Sequence, residues 1–348
     1  MKKTFLALPL VAIVAACGSN SGGSSAGGSS SDMRVVGSST VYPFTKAVAE
    51  EFMRANPGIT VTVESTGTGA GMKLFCAGVG SQFPDLEDAS RAIKKSEYET
   101  CVKNGVKQVI EVPVGIDGLT IIEANNGPAM NLTQADIYKA LAANPFGKGP
   151  NKAQTWKDVN PSLPAVKIRV LGPPPTSGTR DSLVDLYLEK GCDTDPAMKT
   201  LKASNEDQHK QICTKIREDG AFVEAGENDN LLVQKVASDP GTLGILGYSY
   251  LEQNADKIRP VQIAGVAPTE ETIANLSYPG ARKLFIYVKG EHMQAKPKLR
   301  DFVAQYAKMW SKGGALERRG LVPFGGTDAT SATQQASDLK PLDPATLK

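Results

Sequence analysis

From Met33 onward, apolar and polar positions fall into two alternating periods. Met33-Arg34-Val35-Val36 reads as a short strand running into Gly37-Ser38-Ser39-Thr40. Val41, Phe44, Val48 and Phe52 then recur at helical spacing until Asn56-Pro57-Gly58 stops the run. Ile59, Val61 and Val63 alternate as a half-buried strand does. That strand ends at Ser65-Thr66-Gly67-Thr68-Gly69-Ala70-Gly71, ahead of a helical stretch carrying Leu74 and Phe75. A third instance begins with a strand over Val166-Lys167-Ile168-Arg169-Val170-Leu171 and a loop from Gly172 to Thr176. Ser177-Gly178-Thr179-Arg180-Asp181 then opens a helix with Leu183, Leu186 and Tyr187. Strands alternating with helices predict an α/β protein.

The recurring unit is a strand, a turn of small residues and a helix start. The first amides of a helix lack internal partners and carry roughly half a positive charge, so Gly, Ser and Thr placed there form a cradle for an anion. Glycine lets a ligand approach the backbone, and Ser or Thr adds a hydroxyl donor. One such turn reads as an ordinary helix cap. Three in one chain point to an anion site.

The chain has 348 residues, 41% hydrophobic and 22% charged, enough for two lobes with separate cores. Ahead of the alternating region, Lys2-Lys3 precede an apolar run from Phe5 to Ala16, interrupted by Pro9 and too short to span a bilayer. Residues 1–16 read as a signal peptide. Val14-Ala15-Ala16-Cys17 resembles the bacterial lipobox, which implies acylation of Cys17. Residues 17–31, nearly all Gly, Ser and Ala after the cysteine, form a flexible tether. These features predict lipid anchoring through Cys17 in the bacterial periplasm or cell envelope. Without Lys2 and Lys3, the 39 basic residues become level with the 37 acidic ones. That balance argues against nucleic-acid partners and against any membrane contact beyond the anchor.

Four cysteines remain: Cys76, Cys101, Cys192 and Cys213. In an oxidising compartment an even count suggests two disulfides. Of the three possible pairings, sequence grouping favours Cys76–Cys101 and Cys192–Cys213. Only His209 stands near any of them, and no Cys-x-x-Cys spacing occurs, so the pattern disfavours a zinc site. His209 and His292 are the only histidines, each in polar surroundings of the solvated helix or loop kind. No Gly-x-Ser-x-Gly, Walker or His-Glu-x-x-His pattern appears, so the chain reads as a binding protein, not an enzyme, with no cofactor. A structural surface lipoprotein or adhesin is the rival of another class, and it leaves the three cradles as coincidence.

Five segments carry a family resemblance in order and at similar spacing. They are Gly37-Ser38-Ser39-Thr40-Val41-Tyr42-Pro43-Phe44, Gly67-Thr68-Gly69-Ala70-Gly71, Ala89-Ser90-Arg91, Ser177-Gly178-Thr179-Arg180 and Gly226-Glu227-Asn228-Asp229-Asn230. They resemble the phosphate-binding proteins of bacterial phosphate-specific ABC transporters. The resemblance implies a periplasmic-binding-protein fold of type II, in which two α/β lobes joined by a two-strand hinge close on a ligand in the cleft. The crossing strands are expected near 116–122 and 278–288, giving one lobe from 32–117 plus 285–348 and another from 118–284.

The resemblance further implies a monomer that binds inorganic phosphate and docks on an ABC permease. Its ligand residues are Ser39, Thr40, Val41, Gly69, Ala70 and Ser90 on one lobe, with Ser177, Gly178 and Thr179 opposite. Two departures bear on the ion. The best-known branch has an aspartate where this chain has Arg91, and an arginine where it has Pro173; Ala-Ser-Arg and Ser-Gly-Thr-Arg occur in other branches. Arg91 and Arg180 are therefore the expected guanidinium grips. Asp88, Glu64 and Asp229 are the candidate acceptors for a ligand proton, and sulfate, molybdate, arsenate and phosphonate are the rival ions.

Overall fold

The computed structural model describes residues 32–175, 177–226 and 228–347. The expected signal peptide, Cys17 and the expected tether lie outside the described residues. Eleven strands run in chain order among those described: β1 (Asp32–Gly37), β2 (Thr60–Ser65), β3 (Leu86–Ala89), β4 (Val109–Ala124), β5 (Asn131–Leu132), β6 (Val170–Gly172), β7 (Phe222–Glu224), β8 (Leu243–Gly247), β9 (Ile258–Pro260), β10 (Gln262–Ile263) and β11 (Ala281–Lys289). Nine of them form one sheet in the order β2-β1-β3-β11-β4-β8-β6-β7, with β9 also on β4; β5 and β10 pair separately. Helices alternate with these strands, so the α/β class predicted from the hydrophobic pattern is what forms.

Two groups of cores divide the molecule. One gathers Val35, Val48, Phe52 and Leu86 with Leu284, Phe302 and Tyr306; the other gathers Ile121, Tyr138 and Trp156 with Leu183, Tyr187 and Ile245. The helix Tyr42–Ala55 shows why the first forms. Val41, Phe44, Val48 and Phe52 are all buried along one stripe, and Phe52 meets Phe302 edge to face at 5.4 Å. Burying one such phenylalanine is worth about 1.5–3 kcal/mol. Pro43 stands in the first turn, where its missing N–H costs nothing, and Gly58 reverses the chain with φ at +89°.

Strand β11 runs antiparallel to the first part of β4 over its whole length, from Ala281 opposite Gly118 to Lys289 opposite Val109. The first half of β4 continues the sheet through β11 and β3. Its second half pairs with β8 and β9. Both strands thus pass from one core to the other. Tyr187, donating to the Leu119 carbonyl at 2.8 Å and bonded to the Tyr278 hydroxyl at 3.0 Å, pins the second lobe beside that passage.

Several local expectations are corrected. The strand expected over residues 166–171 is ordered as a strand only at Val170–Gly172, while Lys167 makes an isolated bridge to Thr155. The helix after Gly67 begins at Thr68, so Gly69 and Ala70 lie within its first turn and Leu74 points outward while Met72 and Phe75 fill the core. Both histidines are buried instead of solvated. The imidazole of His292 lies between Asp85 and the Gly80 amide, which a core excluding water requires of a polar ring. The disulfides are Cys76–Cys101 and Cys192–Cys213, as grouping favoured.

Candidate functional site

Strands β1, β2 and β3 end together, since Gly37 pairs with both Ser65 and Asp88. Their following turns therefore leave the sheet at one edge, where ligands of open α/β sheets collect. Backbone contacts lock the three turns to each other. The Ser38 amide donates to the Asp88 carbonyl at 2.7 Å, and the Thr66 and Gly67 amides both donate to the Gly37 carbonyl at 2.8 Å. Gly37, at φ +132°, has no room for a side chain: a Cβ there would lie 2.2 Å from the Asp88 oxygen. A Cβ on Gly71 would lie 2.5 Å from the Gly37 Cα.

Thr40, Val41 and Ser90, three of the residues expected as donors, stand in this first wall. The Ser38 hydroxyl, fully buried, accepts from the amides of Thr40 at 3.1 Å and Val41 at 3.3 Å, while Ser90 bonds through both amide and hydroxyl to Thr68 Oγ1. The second wall is the start of the helix Gly178–Leu183, capped by the Ser177 hydroxyl accepting from the Thr179 amide at 3.2 Å. The walls touch. The Thr40 hydroxyl donates to the Gly178 carbonyl at 3.0 Å, Ser39 donates to Asp181, and a Cβ on Gly178 would sit 2.4 Å from the Ser39 oxygen.

Between the walls stands a guanidinium that the sequence pattern did not single out. Arg282, on β11, donates from Nη2 to Thr40 Oγ1 at 2.9 Å and Ser182 Oγ at 2.6 Å. It pairs with Asp117 through Nε at 3.2 Å and with Asp185 through Nη1 at 2.7 Å. A planar five-donor fork is suited to tying both lobes and the hinge strands at one point.

Arg91 and Arg180 are engaged by other partners, although the charge of Asp185, itself bonded to Arg282, also acts on Arg91. Arg91 makes a two-pronged bond to Glu97 at 2.8 and 2.9 Å. Arg180 donates to the Pro173 carbonyl at 2.8 Å and lies over the Phe222 ring at 4.6 Å. Nor does Glu64 approach the walls, since it pairs with Arg34 on the exposed side of the first lobe. Asn228, not Asp229, caps its helix by accepting from the Leu231 amide.

Carboxyl chemistry separates the remaining candidates. Burial pushes the Asp88 carboxyl up to about 8, against a hydrogen bond from Thr45 at 2.7 Å that pulls it down. Its neighbour Glu87 is also pushed well up by burial and by the charge of Asp88. Asp181 is raised by burial too, with the Ser39 hydroxyl opposing the shift. Asp181, Ser182 and Asp185 lie three, four and seven residues beyond Gly178 and so share one helix face with it. That spacing was legible, whereas Arg282 and Asp117 meet only because two distant strands cross.

A sheet that passes between two cores, with helix starts from both meeting at its switch point, defines a two-lobed binding protein of the periplasmic type. The chain belongs to that superfamily: it matches the PBP superfamily domain over residues 23–308. It is 36% identical to Protein SphX of Synechococcus elongatus over 86% of its own length and 79% of that protein's. The phosphate-binding protein PstS of Staphylococcus saprophyticus is 28% identical over 94% of this chain and 91% of its own. Among solved structures, a possible phosphate binding protein from Planctomyces limnophilus superposes with a TM-score of 0.69 at 30% identity, over 88% of this chain and 98% of its own.

Proposed function

We propose that the chain captures inorganic phosphate for an ABC importer by closing its lobes on the ion. The observation carrying this reading is the meeting of the Thr40–Val41 and Ser177–Thr179 helix starts around the Arg282 guanidinium. Dipoles and hydroxyls hold an anion without net positive charge, so the acids beside Arg282 do not oppose binding as free charges would in an apolar cavity. The similarity to PstS, a phosphate-binding protein, supports the choice of ion.

In this reading phosphate oxygens take the Thr40 and Val41 amides from the Ser38 hydroxyl. Ser39, Gly69, Ala70 and Ser90 complete the first wall, and Ser177, Gly178 and Thr179 the second. Arg282 supplies the grip first expected of Arg91 and Arg180. Asp181 is the carboxylate placed to accept a ligand proton, which hydrogen phosphate offers and sulfate lacks. The lobes 32–117 plus 285–347 and 118–284 close about β4 and β11, and ligand shifts the population toward the closed form in proportion to its preference for it. The protein then acts as a monomer, held at the membrane through Cys17 and docking on a permease.

Calorimetric titration of phosphate-stripped protein tests this. Phosphate should give a clear isotherm and raise the melting temperature, with sulfate inert at equal ionic strength. Heat with sulfate or molybdate and none with phosphate would overturn the choice of ion.

A further inference from the structure

The second disulfide has a companion that the first lacks. One donor nitrogen of His209 and the sulfurs of Cys192 and Cys213 all lie within 4.8 Å of one another, and all three residues are completely buried. The His209 Nε2 is committed to Asp193 Oδ1 at 2.7 Å. Its Nδ1 is buried with no hydrogen-bond partner. An imidazole nitrogen orphaned in a core carries an uncompensated desolvation penalty unless something uses it.

The surroundings hold the ring in place. Lys202 bonds the other Asp193 oxygen at 2.8 Å and Glu189 at 3.2 Å, so the carboxylate that orients His209 is itself fixed. A carboxylate on one imidazole nitrogen, with the other free, is how metal-ligating histidines are commonly set.

We propose that the reduced form of this chain carries a zinc site made of Cys192 Sγ, Cys213 Sγ and His209 Nδ1, with Asp193 orienting the imidazole and water as fourth donor. The same segment then takes either a disulfide or a metal as its staple. The exchange balances: a dithiol reductant passes two electrons and two protons to the S–S bond and becomes a disulfide itself. Zn²⁺ then displaces the two thiol protons as it binds the thiolates. A disulfide oxidant takes the two electrons back and two protons from water to become a dithiol, while Cys192–Cys213 re-forms and the ion is released.

The test uses the purified chain, reduced anaerobically with a phosphine and titrated with Co²⁺. One equivalent should bind with a thiolate-to-cobalt charge-transfer band and tetrahedral visible bands, all erased by Zn²⁺. Cys192→Ser should abolish the band, and His209→Ala should weaken cobalt binding at least tenfold. The double variant Cys76→Ser, Cys101→Ser should leave it unchanged. In parallel, Zn²⁺ should slow alkylation of Cys192 and Cys213 together while sparing Cys76 and Cys101. Absence of the band in the reduced wild-type chain, whether or not it stays folded, overturns the proposal. So does a band of unchanged affinity in His209→Ala, or zinc protection of the Cys76–Cys101 pair instead.

Discussion

The two walls of the cleft are built from different materials. The first is a backbone structure, in which three turns at the ends of β1, β2 and β3 are bonded amide to carbonyl and pressed together at Gly37 and Gly71. The second is one helix start, whose contribution lies in which side chains it presents: Ser177, Gly178, Asp181 and Ser182. One wall is therefore specified by the fold and the other by a short run of residues. Damage to the first should appear as lost stability, and damage to the second as lost affinity.

Gly37→Ala against Gly178→Ala puts that contrast to its hardest test. The first forces a side chain into a left-handed position 2.2 Å from the Asp88 oxygen, in a fixed part of one lobe. It should cost about 4 kcal/mol or more and leave little folded protein by denaturant titration. The second clashes at 2.4 Å with Ser39, but only when the lobes meet. Its melting temperature without phosphate should hardly move, while phosphate affinity falls by roughly 100-fold because the competent form is depopulated. A reversed pair, with Gly178→Ala unfolded and Gly37→Ala merely weak in binding, would break the distinction between the walls.

Next in size come the arginines. Arg282 is 9% exposed and faces two carboxylates and two hydroxyls, so Arg282→Ala leaves the mostly buried Asp117 without its cation and should cost about 3 kcal/mol of stability and binding together. Arg282→Lys should recover only part, since one ammonium cannot span four partners. Arg91→Ala removes a partly buried pair with Glu97 and should change affinity by about 0–1 kcal/mol. Equal losses would return Arg91 to the site.

That pair also marks how far the sequence carries. Turns such as 37–41 and 177–180 are legible because their function is local: small residues at a helix start mean the same thing wherever the helix goes. The burial of Val41, Phe44, Val48 and Phe52 is legible for a like reason, as spacing alone sets which face they share. Arg282 is silent in its own neighbourhood, Ala281-Arg282-Lys283, because its role arises when β11 brings it beside Thr40, 242 positions away. His209 misled for the opposite reason, its polar flanks facing solvent while its ring turns inward to the disulfide.

Acidity beneath the first wall gives the third prediction. In the folded chain Asp88 keeps its proton up to about pH 8, whereas unfolded it releases the proton near pH 4. Between those values the unfolded state binds fewer protons, so the raised pKa makes stability decline as pH rises, and the effect is level below and above the window. Asp88→Asn, still able to accept from Thr45, should remove that slope. Relative to wild type it should gain about 2.7 kcal/mol between pH 5 and pH 7, measured by urea denaturation. Parallel curves for the two proteins would mean that Asp88 is ionised in the fold.

The smallest effect belongs to the rim. Lys94 on the first lobe reaches Glu206 on the second at 2.9 Å, and that bond, with the nearby lysine charges, lowers the Glu206 carboxyl to about 2. Both side chains are nearly half exposed, so water and salt screen most of the attraction, and the pair is worth about 0.5 kcal/mol. Lys94→Gln should therefore weaken phosphate binding by about two- to threefold at low salt. The difference should vanish near 0.5 M salt, where screening acts over roughly 4 Å. A loss comparable to that of Arg282→Ala would mean that closure is held at the mouth of the cleft, by charge, and not where the two walls meet.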